Sequence, residues 1–196
     1  MEIVRFFLSG VCHQLPERSL HYAGQPLPLC ARCTGTFLGV VVGLLALWLG
    51  GHGRRSALPS RGKRLFLLAL AAWWAVDGLN SFLALGLGRG VLYEPSNVLR
   101  LATGLGLGAA MAAVLYPIYH FALWRERGRK ASLEGRWALP GLLAAEVAVG
   151  VLLLAWRSAP YALWAGLAVA ASRRLGTRAA SCLTRAGLAF VSTSAR

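Results

Sequence analysis

Residues 34–51 read TGTFLGVVVGLLALWLGG, a stretch without a single charged side chain. Coiled as an α-helix at about 1.5 Å per residue, it is close to the roughly 20 residues that cross the hydrocarbon of a bilayer. Three more runs of the same kind follow, at 65–86, 98–121 and 137–156, and a shorter one occupies 160–171. The expected fold is therefore all-α: a polytopic transmembrane helical bundle of four to five spans. Composition agrees. Hydrophobic residues make up 57% of the 196, charged residues only 14%, and the mean hydropathy is +0.56. The whole of 1–171 reads as one membrane domain, with 172–196 a basic tail.

The formal net charge of +14 raises nucleic acid as a partner, but the basic residues do not form a binding stripe. They sit in short loops flanking apolar runs, where they set topology and meet anionic headgroups. The expected partner is the lipid bilayer, with a homo-oligomer or membrane partner subunits alongside, and no nucleic acid. Arg54, Arg55, Arg61, Lys63 and Arg64 lie between the first two runs, and Arg125, Arg127, Arg129, Lys130 and Arg136 between the third and fourth. The loop between the second and third runs carries only Arg89 and Glu94, and Arg157 alone follows the fourth. Basic loops stay in the cytoplasm. The chain is thus expected in the inner (plasma) membrane, with residues 1–33 outside and the tail cytoplasmic. Arg173, Arg174, Arg178 and Arg185 after the short run argue that it crosses. Residues 1–10 (MEIVRFFLSG) are too short in their apolar part for a signal peptide and read as a short interfacial helix.

Glycine spacing suggests which spans touch. Gly35, Gly39 and Gly43 recur every four residues on the first run, and Gly104 and Gly108 do so on the third. Small residues at that spacing let helix backbones approach closely.

The chemistry lies just ahead of the first run. Cys12, Cys30 and Cys33 fall within 22 residues, with His13 and His21 among them, and Cys30-x-x-Cys33 ends where the helix begins. Pro26 and Pro28 hold the approach extended. A C-x-x-C turn can place two thiolates on one metal, with Cys12 and either His13 or His21 completing four ligands. Zinc is the default for thiolate and imidazole donors, with copper or iron as alternatives. The same C-x-x-C at the positive end of a helix also suits a redox pair. Three cysteines cannot pair fully with one another. Cys182, in the tail, reads as an ordinary free thiol.

These residues carry a resemblance. Cys12-His13-Gln14, Pro16-Glu17-Arg18-Ser19 and Pro28-Leu29-Cys30-Ala31-Arg32-Cys33-Thr34-Gly35 resemble the signature of the prokaryotic membrane proteins grouped as domain of unknown function 2085. The likeness continues through Asp77-Gly78, Ser96-Asn97, Arg100 and Thr103-Gly104, over roughly residues 10–110. It implies a multi-pass membrane protein and leaves the activity to be read from the residues.

Polar side chains inside the spans are costly and call for a partner or a task. Asp77, Asn80 and Ser81 share a face of the second run; Ser96, Asn97, Arg100 and Thr103 share one at the start of the third. Both faces fall in the half of the membrane beneath the Cys/His segment, which makes a polar pocket of Asp77, Asn80, Ser96, Asn97, Arg100 and Thr103. An Asp77–Arg100 ion pair, direct or bridged by Asn80 or water, is the simplest structural use, and Glu94 and Ser96 can cap the third span. Glu146 is a second buried acid in the fourth run; His120 belongs near the other interface and His52 to a basic loop. No serine triad, phosphate loop or pair of catalytic carboxylates is present. Three functions stay open: a metal site above a polar pocket, a thiol–disulfide oxidoreductase using Cys30 and Cys33, and a carrier or accessory subunit for an ion or small polar ligand.

Overall fold

The architecture is taken from a computed structural model, which describes residues 8–50, 57–124 and 131–155, together with Gly166 and Ala170. The fifth run apart from Gly166 and Ala170, the basic tail with Cys182, His52 and nearly all of the N-terminal interfacial segment lie outside the described residues. Four helices are each long and apolar enough to cross a membrane: α1, Ala31–Leu49; α2, Arg61–Leu87; α3, Asn97–Trp124; and α4, Ala138–Ala155. Large side chains along them face outward, among them Leu79, Phe82 and Val147. In a bilayer these are the lipid-facing surface, since hydrocarbon imposes no cost on them.

Local signals set the helix ends. Cys30 is the extended N-cap of α1, so the helix starts at Ala31 and includes Arg32 and Cys33 in its first turn. Gly88, at φ 72°, ends α2 in the left-handed conformation a glycine takes without a Cβ penalty. Ser96 caps α3, its Oγ accepting the Leu99 N–H at 3.2 Å. Glu94 does not share that role; its carboxylate accepts the Gly90 N–H at 3.3 Å within the α2–α3 loop.

One element was not anticipated. Ser19–Tyr22 (β1) pairs antiparallel with Gln25–Cys30 (β2), in the register Ser19↔Cys30 and Tyr22↔Gln25. Ala23 and Gly24 both have positive φ, 50° and 76°, the geometry of a tight two-residue hairpin turn. A 3₁₀ turn at Pro16–Arg18 leads into it. The all-α description therefore holds for the spans, and a small hairpin sits on one end of them.

Helices α1 and α3 form the tightest pair in the bundle, while α2 packs on α3 and α4 lies against both α1 and α3. The glycines explain the closeness. A Cβ on Gly39 would stand 3.1 Å from the Gly108 Cα, and one on Gly108 only 2.6 Å from the Gly39 Cα. Gly35 faces Gly104 in the same way. The main core lies in two layers. Leu20, Tyr22 and Leu27 of the hairpin join Leu38, Leu101, Leu105 and Leu153 at one end; Leu47, Leu67, Tyr116 and Leu142 fill the other. The Tyr22 hydroxyl donates to the Leu153 carbonyl at 2.7 Å, fastening the hairpin to α4. At the opposite end Ser132 N–H donates to the Ala57 carbonyl at 3.0 Å, and Lys63 Nζ donates to the carbonyls of Leu133 and Gly135. The segments joining α1 to α2 and α3 to α4 thus share one end, and the hairpin and α2–α3 loop share the other.

Candidate functional site at the hairpin end

The hairpin folds Cys12 back onto the start of α1. Cys12 is buried with Leu8 and Leu29, against which Cys30, Cys33 and Phe37 also pack. The three sulfurs lie within 4.8 Å of one another, and all three cysteines are free. A tetrahedral ion with bonds of about 2.3 Å needs sulfurs about 3.8 Å apart, a small contraction from this spacing. Backbone donors already point at the cluster: the Cys30 N–H donates to Cys12 Sγ at 3.2 Å. The Cys12 and Cys33 sulfhydryls, helped by the Cys33 and Arg32 N–H groups of the first helical turn, hold the Cys30 thiol down to about 2. The Cys12 thiol is pushed up, first by its hydrogen bond to Cys30. The first proton lost from the cluster is therefore that of Cys30, at the positive end of α1.

Neither histidine belongs to this group. His13 and His21 are exposed, and His21 Nδ1 lies 3.1 Å from the Ser19 carbonyl on its own strand. Alternation along β1 turns His21 to the outside while Leu20 and Tyr22 point inward.

Beneath the hairpin the polar residues do converge. Asp77 is fully buried, but its partner is Arg32, not Arg100. Arg32 Nε donates to Asp77 Oδ2 at 3.1 Å, and Nη2 donates to the same oxygen, to the Asp77 carbonyl at 3.0 Å and to Ser81 Oγ at 2.9 Å. Tyr93 from the α2–α3 loop donates its hydroxyl to Asp77 Oδ1 at 2.9 Å, and Thr103 donates to Oδ2 at 3.3 Å. Burial, then the Asp77 hydrogen bond and charge, push the Tyr93 phenol above its ordinary value. Asn80 is spent on the loop, accepting the N–H groups of Val91 and Leu92 at 3.0 and 2.9 Å and donating to the Tyr93 carbonyl at 2.8 Å. Asn97 donates to the carbonyls of Glu17 and Ser19 at 3.1 and 3.2 Å, tying α3 to the hairpin. Arg100 donates to Asn97 Oδ1 at 2.8 Å. These groups largely satisfy one another, and the network seats the hairpin on the bundle.

Sequence reasoning missed Arg32 and Tyr93. Arg32 did leave a signal: a cation in the first turn of an apolar helix opposes the helix dipole and needs a counter-charge. Tyr93 left none, because nothing in a loop tyrosine announces the acid it will reach. Glu146, also buried, has neither carboxylate oxygen hydrogen-bonded among the described residues. It packs at the α1–α4 contact, where a Cβ on Gly43 would meet Oε1 at 3.3 Å.

Comparison with known proteins bears on the same half of the molecule. The model of a family described as predicted membrane proteins, DUF2085, matches residues 12–114. An uncharacterised protein of Methanothermobacter thermautotrophicus is 30% identical over 113 residues, covering 58% of this chain and 91% of that one. An uncharacterised protein of Methanocaldococcus jannaschii is 28% identical over 118 residues, covering 60% of this chain and 69% of its own. No solved structure matches. The family match takes in the hairpin, the cysteine cluster, α1, α2 and most of α3, and stops short of α4.

Proposed function

This chain belongs to the DUF2085 family of predicted membrane proteins, and we propose that it binds one metal ion through Cys12, Cys30 and Cys33 at the hairpin end of its bundle. The observation that carries the reading is the convergence of three free sulfurs, two from a helix N-terminus and one brought back by a hairpin. A lone C-x-x-C has many uses; a third thiol from 18 residues upstream, accepting a backbone N–H, is the donor set of a thiolate metal centre. Three protein ligands leave a fourth position for water or an exogenous ligand, the pattern of a metal site that takes a substrate. Zinc is the default ion, with copper or iron as the soft-ligand alternatives. The loop-charge bias puts this end on the outer side of the plasma membrane, with the intervening basic segments in the cytoplasm.

Metal analysis of the purified protein tests the proposal. About one equivalent per chain is expected in the wild type, and loss of it in the Cys30→Ser, Cys33→Ser double variant. Equal metal in both sinks the reading. His13→Ala is expected to leave the stoichiometry unchanged.

A second reading rests on Cys30 and Cys33 as a redox pair. Cys30 at the N-cap of α1, its thiol pulled below the ordinary value by Cys12 and Cys33, with Cys33 in the first turn, is also the arrangement of a thiol–disulfide exchanger. Alkylation trapping in cells separates the two: a redox pair yields a mixture of oxidised and reduced Cys30 and Cys33. Metal-held thiolates are uniformly reduced and become reactive only after chelation.

A further inference from the structure

The seam between α2 and α3 opens outward near the end of the bundle where α1 joins α2. A groove of about 450 Å³ lies there, within the roughly 300–1,000 Å³ of sites that hold a small ligand. Buried Leu67 and Ala110 form its floor, and exposed Leu68, Met111 and Val114 its flanks. Along α2 it runs from Arg64 to Ala71, about 10 Å of helix axis. Among the described residues Arg64 is the one charged side chain lining it, and it is exposed and in no ion pair.

The lining chemistry narrows the occupant. Apart from Arg64, every described lining side chain is leucine, proline, alanine, methionine or valine, with no group that donates a hydrogen bond. Such a surface suits a hydrocarbon chain, and the flexible thioether of Met111 adapts to one. A helix of a second copy suits it less. Helices associate in lipid through small or hydrogen-bonding side chains, whereas Leu68, Met111 and Val114 stand at this surface. Charge selects the headgroup. Neighbouring Lys63 is taken up by the carbonyls of Leu133 and Gly135, which leaves Arg64 as the cation that reaches the groove. Glu126 and Glu134 are the only acids of the adjoining segments 51–60 and 125–137, against Arg54, Arg55, Arg125, Arg127, Arg129, Lys130 and Arg136. This end is positive with both acids counted. Arg64 begins the second turn of α2, where a guanidinium on its long stem reaches the headgroup level. We propose that the groove binds one anionic phospholipid, a chain lying between α2 and α3 and its phosphate on Arg64.

Native mass spectrometry of the full chain in detergent, titrated with palmitoyl-oleoyl phosphatidylglycerol or the phosphatidylcholine of the same chains, tests the proposal. The first phosphatidylglycerol is expected to bind about fivefold more tightly than the first phosphatidylcholine, the worth of one basic side chain near an anionic surface. Arg64→Gln should erase that preference. Arg61→Gln removes the same charge from an exposed side chain outside the lining and should keep it. Ala71→Leu fills the inner end of the groove and should weaken the first binding of both lipids about tenfold, as the loss of two buried methylenes does. Both arginines are exposed, so their variants keep the fold, which a thermal melt matching the wild type checks. Equal affinity for the two lipids in the wild type overturns the site. Equal losses in Arg61→Gln and Arg64→Gln do so too, since they reduce the effect to a general basic field. Undiminished lipid binding in Ala71→Leu removes the chain from the groove. Dimers that Ala71→Leu dissociates would give the groove to a second copy and overturn the proposal.

Discussion

Replacing Asp77 by Asn isolates the charge of Arg32 with little change of shape. The amide can still accept from Tyr93 at Oδ1, now 2.9 Å away, but it offers Arg32 no negative charge. Arg32 is mostly shielded, its side chain 16% exposed and Asp77's 0%. Removing one member of a buried pair leaves an uncompensated charge, which typically costs about 3–5 kcal/mol. Partial access of Arg32 to water argues for the lower end, about 3 kcal/mol for Asp77→Asn. Arg32→Gln, which strands the carboxylate, is expected to cost at least as much, because Asp77 is the deeper partner. In Asp77→Asn, Arg32→Gln no unpaired charge remains. The double variant should therefore be at least about 2 kcal/mol more stable than the sum of the single losses predicts. Reversible unfolding in mixed detergent–lipid micelles, followed by tryptophan fluorescence, measures all four corners of the cycle. Single losses under about 1 kcal/mol, or losses that simply add, would show that the pair does not hold α1 to α2.

Other outcomes follow from the same geometry. Gly104→Ala drives a methyl into the Arg32 carbonyl and to within 3.0 Å of the Thr36 nitrogen; it should destabilise by about 1–3 kcal/mol and lower metal content. Gly62→Ala, with open space around it in α2, should be neutral or stabilise by up to about 1 kcal/mol, as a helical Gly→Ala change does. In metal-stripped protein, iodoacetamide should lose less of its rate at Cys30 between pH 8 and pH 5 than it does at a free thiol, as mass spectrometry of the labelled peptide would report. An unperturbed thiol slows by a factor of roughly 10³ over that interval, whereas the Cys12 and Cys33 sulfhydryls pull the Cys30 thiol below its ordinary value and should leave it the more reactive at pH 5. The sign for stability is that of a depressed group: its contribution is full above the ordinary value of 9.0 and is lost as pH falls toward 2. A Cys30 rate that falls with pH like a free thiol's would remove the basis for a preformed thiolate.

Much of this molecule could be read along the chain. The spans are local properties: a run such as residues 34–51 has no charged side chain, and in lipid its backbone groups are satisfied only within a helix, so it is helical wherever it crosses. The glycine periods of Gly35, Gly39, Gly104 and Gly108 likewise pointed to a seam, because only a missing Cβ allows backbones so close. Cys30-x-x-Cys33 at the start of a helix was legible for the same reason, as was the gathering of polar residues at one end.

The identity of the partners was not legible. Asp77 could face Arg100 or Arg32 by depth alone; the rotation of α1, set by its glycine seam with α3, gives it Arg32. Histidine is as good a ligand as cysteine by composition, yet β1 turns His21 outward while the hairpin and the burial of Cys12 bring a third sulfur to the helix end. By itself the chain determined that it enters a membrane and where its reactive side chains are concentrated, because hydropathy and spacing act over one helix turn or one span. Which of those side chains meet was decided only by tertiary packing, since contacts at a few ångströms depend on helix rotation and strand register that no single segment contains.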